Sequence, residues 1–202
     1  MIIIHHRRNT IQELKDTPQK YGVEVDIRCV GKHLIIHHDP FVSGECFEKW
    51  LKEYNHGTLI LNVKEEGLEE KLIYLMKEHN ITDYFFLDQS FPFLIRWSNK
   101  GEHRCAVRVS EFESVETALS LAGKVDWVWL DCFTDFPINK NQFDFLKDAA
   151  FKICLVSPEL QGRNGEDEIK NMSLTLKNID IKLDAVCTKH PYLWEKMLLK
   201  HA

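Results

Sequence analysis

The stretch HHRRNTIQELKDTPQKYGVEVDIRCVGKHLIIHHDP, His5 to Asp39, gathers two histidine doublets, two arginines and a Glu-x-Asp pair within one short span. Glu24 and Asp26 stand two apart in a β-patterned run, so a period of two sends both carboxylates to one face. Strands of a parallel sheet are normally apolar on both faces, and two adjacent inward carboxylates repel unless a cation lies between them. A hard divalent ion with oxygen ligands, Mg²⁺ or Ca²⁺, would relieve that repulsion. Solvated charges at a strand end, or ion pairs with Arg7 and Arg28, would relieve it equally well. The doublets His5-His6 and His37-His38 each follow an isoleucine run, so one member of each faces such a site. Two imidazoles flanking a phosphate can act as general base and general acid, and Asp39 can orient one ring. A single histidine is more often a packed or surface residue; the carboxylate pair between the doublets shifts the balance toward metal-assisted phosphodiester chemistry.

Residues in this pattern need strand ends to hold them. Short β-branched or aromatic runs alternate with helix-patterned runs along the whole chain, the pattern of a parallel sheet covered by helices. The predicted strands are Ile2–His5, Val23–Ile27, Thr58–Val63, Tyr84–Leu87, Cys105–Val109, Trp127–Leu130, Lys152–Val156 and Ala185–Cys187. The predicted helices are Thr10–Lys20, Glu45–Tyr54, Leu68–His79, Pro92–Ser98, Val115–Ala122, Lys140–Ala149, Glu166–Lys177 and Tyr192–Leu199. That alternation predicts a minimal (β/α)8 TIM barrel spanning residues 1–202 as a single α/β domain, with its chemistry at the C-terminal ends of the strands. Leu34–His37 breaks the alternation, and Gly31 before it predicts a β-ribbon after the second strand, rising over the barrel mouth. The loop Pro158–Gly165 is the longest linker.

Composition fits that reading. The chain has 202 residues, 44% hydrophobic and 28% charged, enough for one sizeable core. Its 26 cationic and 31 anionic side chains give a net charge of −5, and so no global positive field to hold nucleic acid or an anionic membrane. Six cysteines are scattered without a CxxC pair, as expected of reduced thiols in a cytoplasm. The apolar run before His5 is too short for a signal-peptide core, and no run approaches a membrane span.

At His6-Arg7, Glu24-Val25-Asp26 and Ile36-His37-His38-Asp39 the sequence resembles the HR…ExD…HD signature of the glycerophosphodiester phosphodiesterases, related in fold to phosphatidylinositol-specific phospholipase C. Leu61-Asn62-Val63-Lys64 is similar to that family's ElK motif, Gln89-Ser90-Phe91 to its SF motif, and Cys187-Thr188-Lys189-His190-Pro191 to its closing TDxP. The resemblance implies a (β/α)8 barrel, His6 and His38 as the acid-base pair, Glu24, Asp26 and Asn62 as metal ligands, and Arg7 and Lys64 near the phosphate. It also implies a hydrolase of a small-molecule phosphodiester, in lipid metabolism. Three departures stand out: Asn62 replaces a carboxylate, Lys189 replaces an Asp, and only residues 40–57 separate the HD motif from the third strand, leaving the mouth open to a glycan-linked or lipid-linked diester.

Further candidates lie at other strand ends. Arg108, between Val107 and Val109, is predicted either to clamp phosphate or to pair with Glu111 or Asp131. Glu159 and Arg163 sit in the loop after the seventh strand, and Trp127 and Trp129 could line a sugar-binding wall, with core packing favoured for at least one of them. The expected function is a divalent-metal-dependent phosphodiesterase. The alternative is a catalytically reduced barrel that binds a phosphorylated sugar or glycerol phosphate, in cell-surface polysaccharide metabolism.

Overall fold

The computed structural model describes residues 1–163 and 165–199. In chain order its elements are β1 (Ile2–His5), α1 (Ile11–Lys15), β2 (Gly22–Val30), β3 (His33–Ile36), β4 (Glu45–Cys46), α2 (Phe47–Leu51), β5 (Leu59–Val63), α3 (Glu69–Glu78), β6 (Tyr84–Leu87), α4 (Phe91–Asn99), β7 (Ala106–Val109), α5 (Val115–Leu119), β8 (Trp127–Leu130), α6 (Lys140–Asp148), β9 (Lys152–Val156), α7 (Glu166–Asn178), β10 (Ala185–Thr188) and α8 (Pro191–Leu199). The mixed α/β expectation holds, and each predicted strand is present within two or three residues of its predicted bounds.

The parallel strands run in the order β6-β5-β2-β1-β10-β9-β8-β7, each neighbouring pair joined by a ladder. The sheet curls until its edges approach. There β6 and β7 meet in a single parallel bridge, Phe86 to Cys105, with the Phe86 N–H donating to the Arg104 carbonyl at 2.8 Å. Alternation along the strands divides the core in two. Val23, Val25, Leu59, Leu61, Val107 and Val128 face the helices and pack with residues such as Trp50, Leu72 and Leu146. Ile4, Ile60, Phe85, Leu87, Ala106, Trp127, Trp129, Cys154, Val156, Ala185 and Cys187 fill the inside of the curl. Each fully buried aliphatic or aromatic side chain contributes about 1.5–3 kcal/mol, so both layers are needed to hold the sheet. Trp127 and Trp129 belong to the inner layer, with Trp127 stacked on Phe85 at 4.5 Å, so both take the core-packing alternative rather than a sugar wall.

The ribbon forms as predicted. β3 pairs antiparallel with the distal half of β2, from Ile27 with Ile36 to Val30 with His33, and Gly31 takes φ +60° in the two-residue turn. The first two helices are about half as long as their patterns suggested. α1 is capped by Thr10 and Glu13 in a reciprocal capping box, but stops before Thr17, because the residue preceding Pro18 is pushed out of helical geometry. The start of the predicted second helix is instead β4, pairing with β3; Gly44 lies so near Ile36 that a β-carbon would stand 2.1 Å from its carbonyl oxygen. The predicted loop after β9 contains a 3-10 turn, Pro158–Gln161. No helix among the described residues is long and apolar enough to cross a membrane.

Candidate active site

The period of two that builds the inner core also builds the site. Ile4 is inward, so His6 follows it toward the mouth while His5 turns outward, its Nδ1 3.4 Å from Thr17 Oγ1. On β2 the outward Val23, Val25 and Ile27 leave Glu24 and Asp26 inward, and both are fully buried. The register pairs Glu24 with Ile60 and Asp26 with Asn62, so Asn62 and Lys64 continue the inward row of β5. Arg108, Asp131 and Lys189 extend the inward rows of β7, β8 and β10 in the same way.

Glu24 accepts from the Arg7 backbone N–H at 2.7 Å and from Asn62 Nδ2 at 2.8 Å, with His6 Nε2 3.7 Å away. Arg7 itself sits at φ +51°, a left-handed conformation unusual for a non-glycine residue; the Glu24 contact to its N–H is one of the bonds that hold it there. Asp26 lies against Arg7 Nε at 3.3 Å and Lys64 Nζ at 3.3 Å, and accepts from Asn9 Nδ2 at 2.8 Å while its own N–H donates to Asn9 Oδ1 at 3.0 Å. Burial, and then the neighbouring Asp26 charge, push the Glu24 carboxyl above the usual carboxylate range. Burial, followed by the charges of Arg7, Lys189, Arg8 and Lys64, lowers His6 to about 3, so its ring is neutral across the physiological range.

From Lys64 a chain of alternating charges crosses the mouth. Lys64 Nζ lies 3.1 Å from Asp88, Asp88 pairs with Arg108, Arg108 Nη1 donates to Asp131 at 2.7 Å, and Gln161 Nε2 donates to the other Asp131 oxygen at 2.5 Å. In the structure the Arg108 guanidinium pairs with Asp88 and Asp131. Glu111 lies apart from it, accepting the N–H groups of Phe133, Thr134 and Asp135. Glu159 is buried and ties the ends of β9 and β10 together by accepting from Ser157, from Thr188 Oγ1 at 2.5 Å and from the Lys189 N–H at 2.9 Å. Arg163 points away to Glu168.

The second doublet lies at the end of the ribbon. His38 Nδ1 is 2.7 Å from Asp39 Oδ1, and the His38 carbonyl receives the Arg28 guanidinium at 2.9 and 3.1 Å. Thus Asp39 orients the His38 ring and Arg28 anchors its backbone, although the ring is 42% exposed. His37 turns to its own local turn, Nδ1 accepting from the Asp39 N–H at 3.0 Å.

The expected metal ligands come together on adjacent strands. Asp26 Oδ1 and Asn62 Oδ1 are both buried and lack a hydrogen-bond partner, which suits a hard cation bound by Glu24, Asp26 and Asn62 oxygens. The fit is through two carboxylates and one neutral amide. Among the described residues no three His, Cys, Asp or Glu side chains form a metal-holding group.

No family model matches the sequence, and no curated protein matches it. Solved structures do. A glycerophosphodiester phosphodiesterase from Agrobacterium tumefaciens superposes with a TM-score of 0.66 at 13% identity, over 98% of this chain and 99% of that one. The fold is that of the glycerophosphodiester phosphodiesterases. A glycerophosphoryl diester phosphodiesterase from Parabacteroides distasonis agrees, with a TM-score of 0.71 at 11% identity over 99% of this chain and 86% of that one. At such low identity the likeness to the glycerophosphodiester phosphodiesterases rests on the fold. Two residues of the mouth had escaped the sequence reading. Asn9 follows the arginines with only a helix-start signal beside it, and Asp88, at φ +58° after β6, gave no signal before the fold placed it between Lys64 and Arg108.

Proposed function

We propose that the curled sheet is a (β/α)8 barrel and that the chain hydrolyses a phosphodiester of the glycerophosphodiester class at its mouth. The observation that carries this reading is the meeting of His6, Arg7, Glu24, Asp26 and Lys64 on the neighbouring strand ends of β1, β2 and β5, within the fold shared with the two solved phosphodiesterases. A divalent ion held by Glu24, Asp26 and Asn62 would supply charge stabilisation for the phosphoryl oxygens. Arg7 and Lys64 supply further positive charge beside that position. Neutral His6 takes the proton of the attacking hydroxyl, from water or a neighbouring substrate alcohol, as the new P–O bond forms. His38, its ring set by Asp39, gives a proton to the leaving alcohol oxygen as the old P–O bond breaks. Water attack releases a monoester, and internal attack releases a cyclic phosphate. The test is turnover of glycerophosphodiesters by the chain with Mg²⁺ or Ca²⁺ and its loss in His6→Ala and His38→Ala variants that retain the fold.

A second reading has its own support. Asn62 brings no charge where a third carboxylate would be, and Lys64 and Arg7 already stand against Asp26. A barrel so neutralised would bind a phosphorylated sugar or glycerol phosphate without cleaving it. Ligand binding that is unchanged by chelator, together with no turnover over a broad diester panel, would favour this second reading.

A further inference from the structure

The cations of the mouth are nearly all committed. Arg7 lies on Asp26, Lys64 on Asp26 and Asp88, Arg28 on Glu65, Arg108 on Asp88 and Asp131, and Arg8 Nε donates to the His6 carbonyl at 3.1 Å. Lys189 differs. It is exposed, and among the described residues its ammonium has neither a carboxylate within ion-pair distance nor a hydrogen-bond partner. Its backbone position is nonetheless fixed. The β1–β10 register sets Thr188 opposite His5, the His6 N–H donates to the Thr188 carbonyl at 2.9 Å, and Lys189 continues the inward row of Ala185 and Cys187. The buried Glu159 carboxylate holds the Lys189 N–H, and its companion bonds to Ser157 and Thr188 lock the turn, with Trp194 Nε1 donating to Ser157 Oγ at 2.8 Å. Its charge reaches His6, for it is among the causes that depress that histidine.

We infer that Lys189 is a specificity residue that receives a second anionic group, a phosphomonoester or a carboxylate, carried on one of the two alcohols of the substrate diester. An unpartnered ammonium carried on a fixed backbone position beside His6 attracts such a group without first breaking an ion pair of its own. This inference rests on the phosphodiesterase reading for its substrate, but its binding arm does not need turnover.

The experiment compares kcat/KM for glycerophosphoglycerol with that for the same diester bearing a terminal phosphate, and with that for a diester bearing a terminal carboxylate, in wild type, Lys189→Met and Lys189→Glu. Each variant keeps the backbone N–H on Glu159, and taking the ratio of two substrates on one protein cancels any effect on folding or on His6. Wild type is expected to prefer a doubly anionic diester about tenfold, with the terminal phosphate and carboxylate arms showing which anion fits; Lys189→Met removes that preference and Lys189→Glu reverses it, a range usual for one charge-assisted contact. Calorimetry of glycerol 3-phosphate against glycerol 1,3-bisphosphate runs beside it. A bisphosphate preference lost in Lys189→Met, with no diester turned over by any protein, sinks the phosphodiesterase reading and keeps this one. Equal ratios in all three proteins, with turnover present, overturn the role of Lys189.

Discussion

Replacing Lys64 with Met isolates the electrostatics of the mouth. Its Nζ stands 3.3 Å from Asp26 and 3.1 Å from Asp88, and its side chain is only 15% exposed beside a fully buried Asp26. At an effective dielectric of about 20 the Asp26 contact alone is roughly 5 kcal/mol of gross attraction. The measurable cost is smaller, because Met packs the same stem and the desolvation of the ammonium is recovered. Breaking a buried pair costs about 3–5 kcal/mol. Arg7 Nε, 3.3 Å from Asp26, still shields it, so the lower end applies. For a domain of this size a loss of about 3 kcal/mol lowers Tm by about 6–12 °C. Thermal unfolding in chelator should show that drop. Millimolar Mg²⁺ or Ca²⁺ should recover about 2–3 kcal/mol at a concentration near 100 times Kd, by filling the charge deficit between Glu24 and Asp26. A Lys64→Met protein as stable as wild type in chelator would refute the reasoning, and so would a recovery that persists after Asp26→Asn is added.

Other perturbations probe separate parts of the site. Asn9→Ala removes both contacts to Asp26, leaving its buried N–H without a partner and its carboxylate with only the cations beside it, so chemical denaturation should read a loss of about 1–3 kcal/mol; no change would mean that the bracket is dispensable. His6 has a sign that can be checked. Its folded value of about 3 lies below the ordinary 6.5, so its neutral form contributes stability above pH 6.5 that is lost as pH falls toward 3. Glu24, raised by burial, runs the other way, its contribution being lost as pH rises above the ordinary carboxylate value of 4.5 through its raised one. Melting curves of His6→Asn should therefore climb less steeply with pH than wild type between pH 3 and 6.5, and parallel curves would contradict a neutral buried His6. Asp39→Asn frees the His38 ring without touching the buried site, so kcat should fall about 10–100-fold while Tm stays level; unchanged kcat would remove Asp39 from the mechanism.

Much of this architecture was legible in the chain because each signal is local. The alternation of β-branched and amphipathic runs found every parallel strand, and the period of two placed Glu24 and Asp26 on one face before any contact was known. Gly31 marked the hairpin turn. What stayed hidden depends on contacts distant in sequence. Nothing near Arg108 says that Asp88 will claim it or that Asp131 rather than Glu111 will join it, because that choice is made by β6, β7 and β8 curling their ends together. Asp88 and Asn9 have no periodic signature, and the buried Trp127 and Trp129 could be told from a sugar wall only once the sheet enclosed them. The splay of β6 from β7, reduced to the Phe86 to Cys105 bridge, is equally invisible to a reading of strand patterns.

Phosphodiester hydrolysis by the β1, β2 and β5 cluster is tested most directly by assaying purified wild type, His6→Ala and His38→Ala with Mg²⁺ or Ca²⁺ against a panel of glycerophosphodiesters. Wild type should release a monoester or cyclic phosphate, and each variant should lose activity by at least about 100-fold while still unfolding cooperatively from a folded state, as expected for removal of an acid or base. Wild-type turnover that survives in both variants, or no turnover of any diester by a folded, metal-loaded protein, would contradict it.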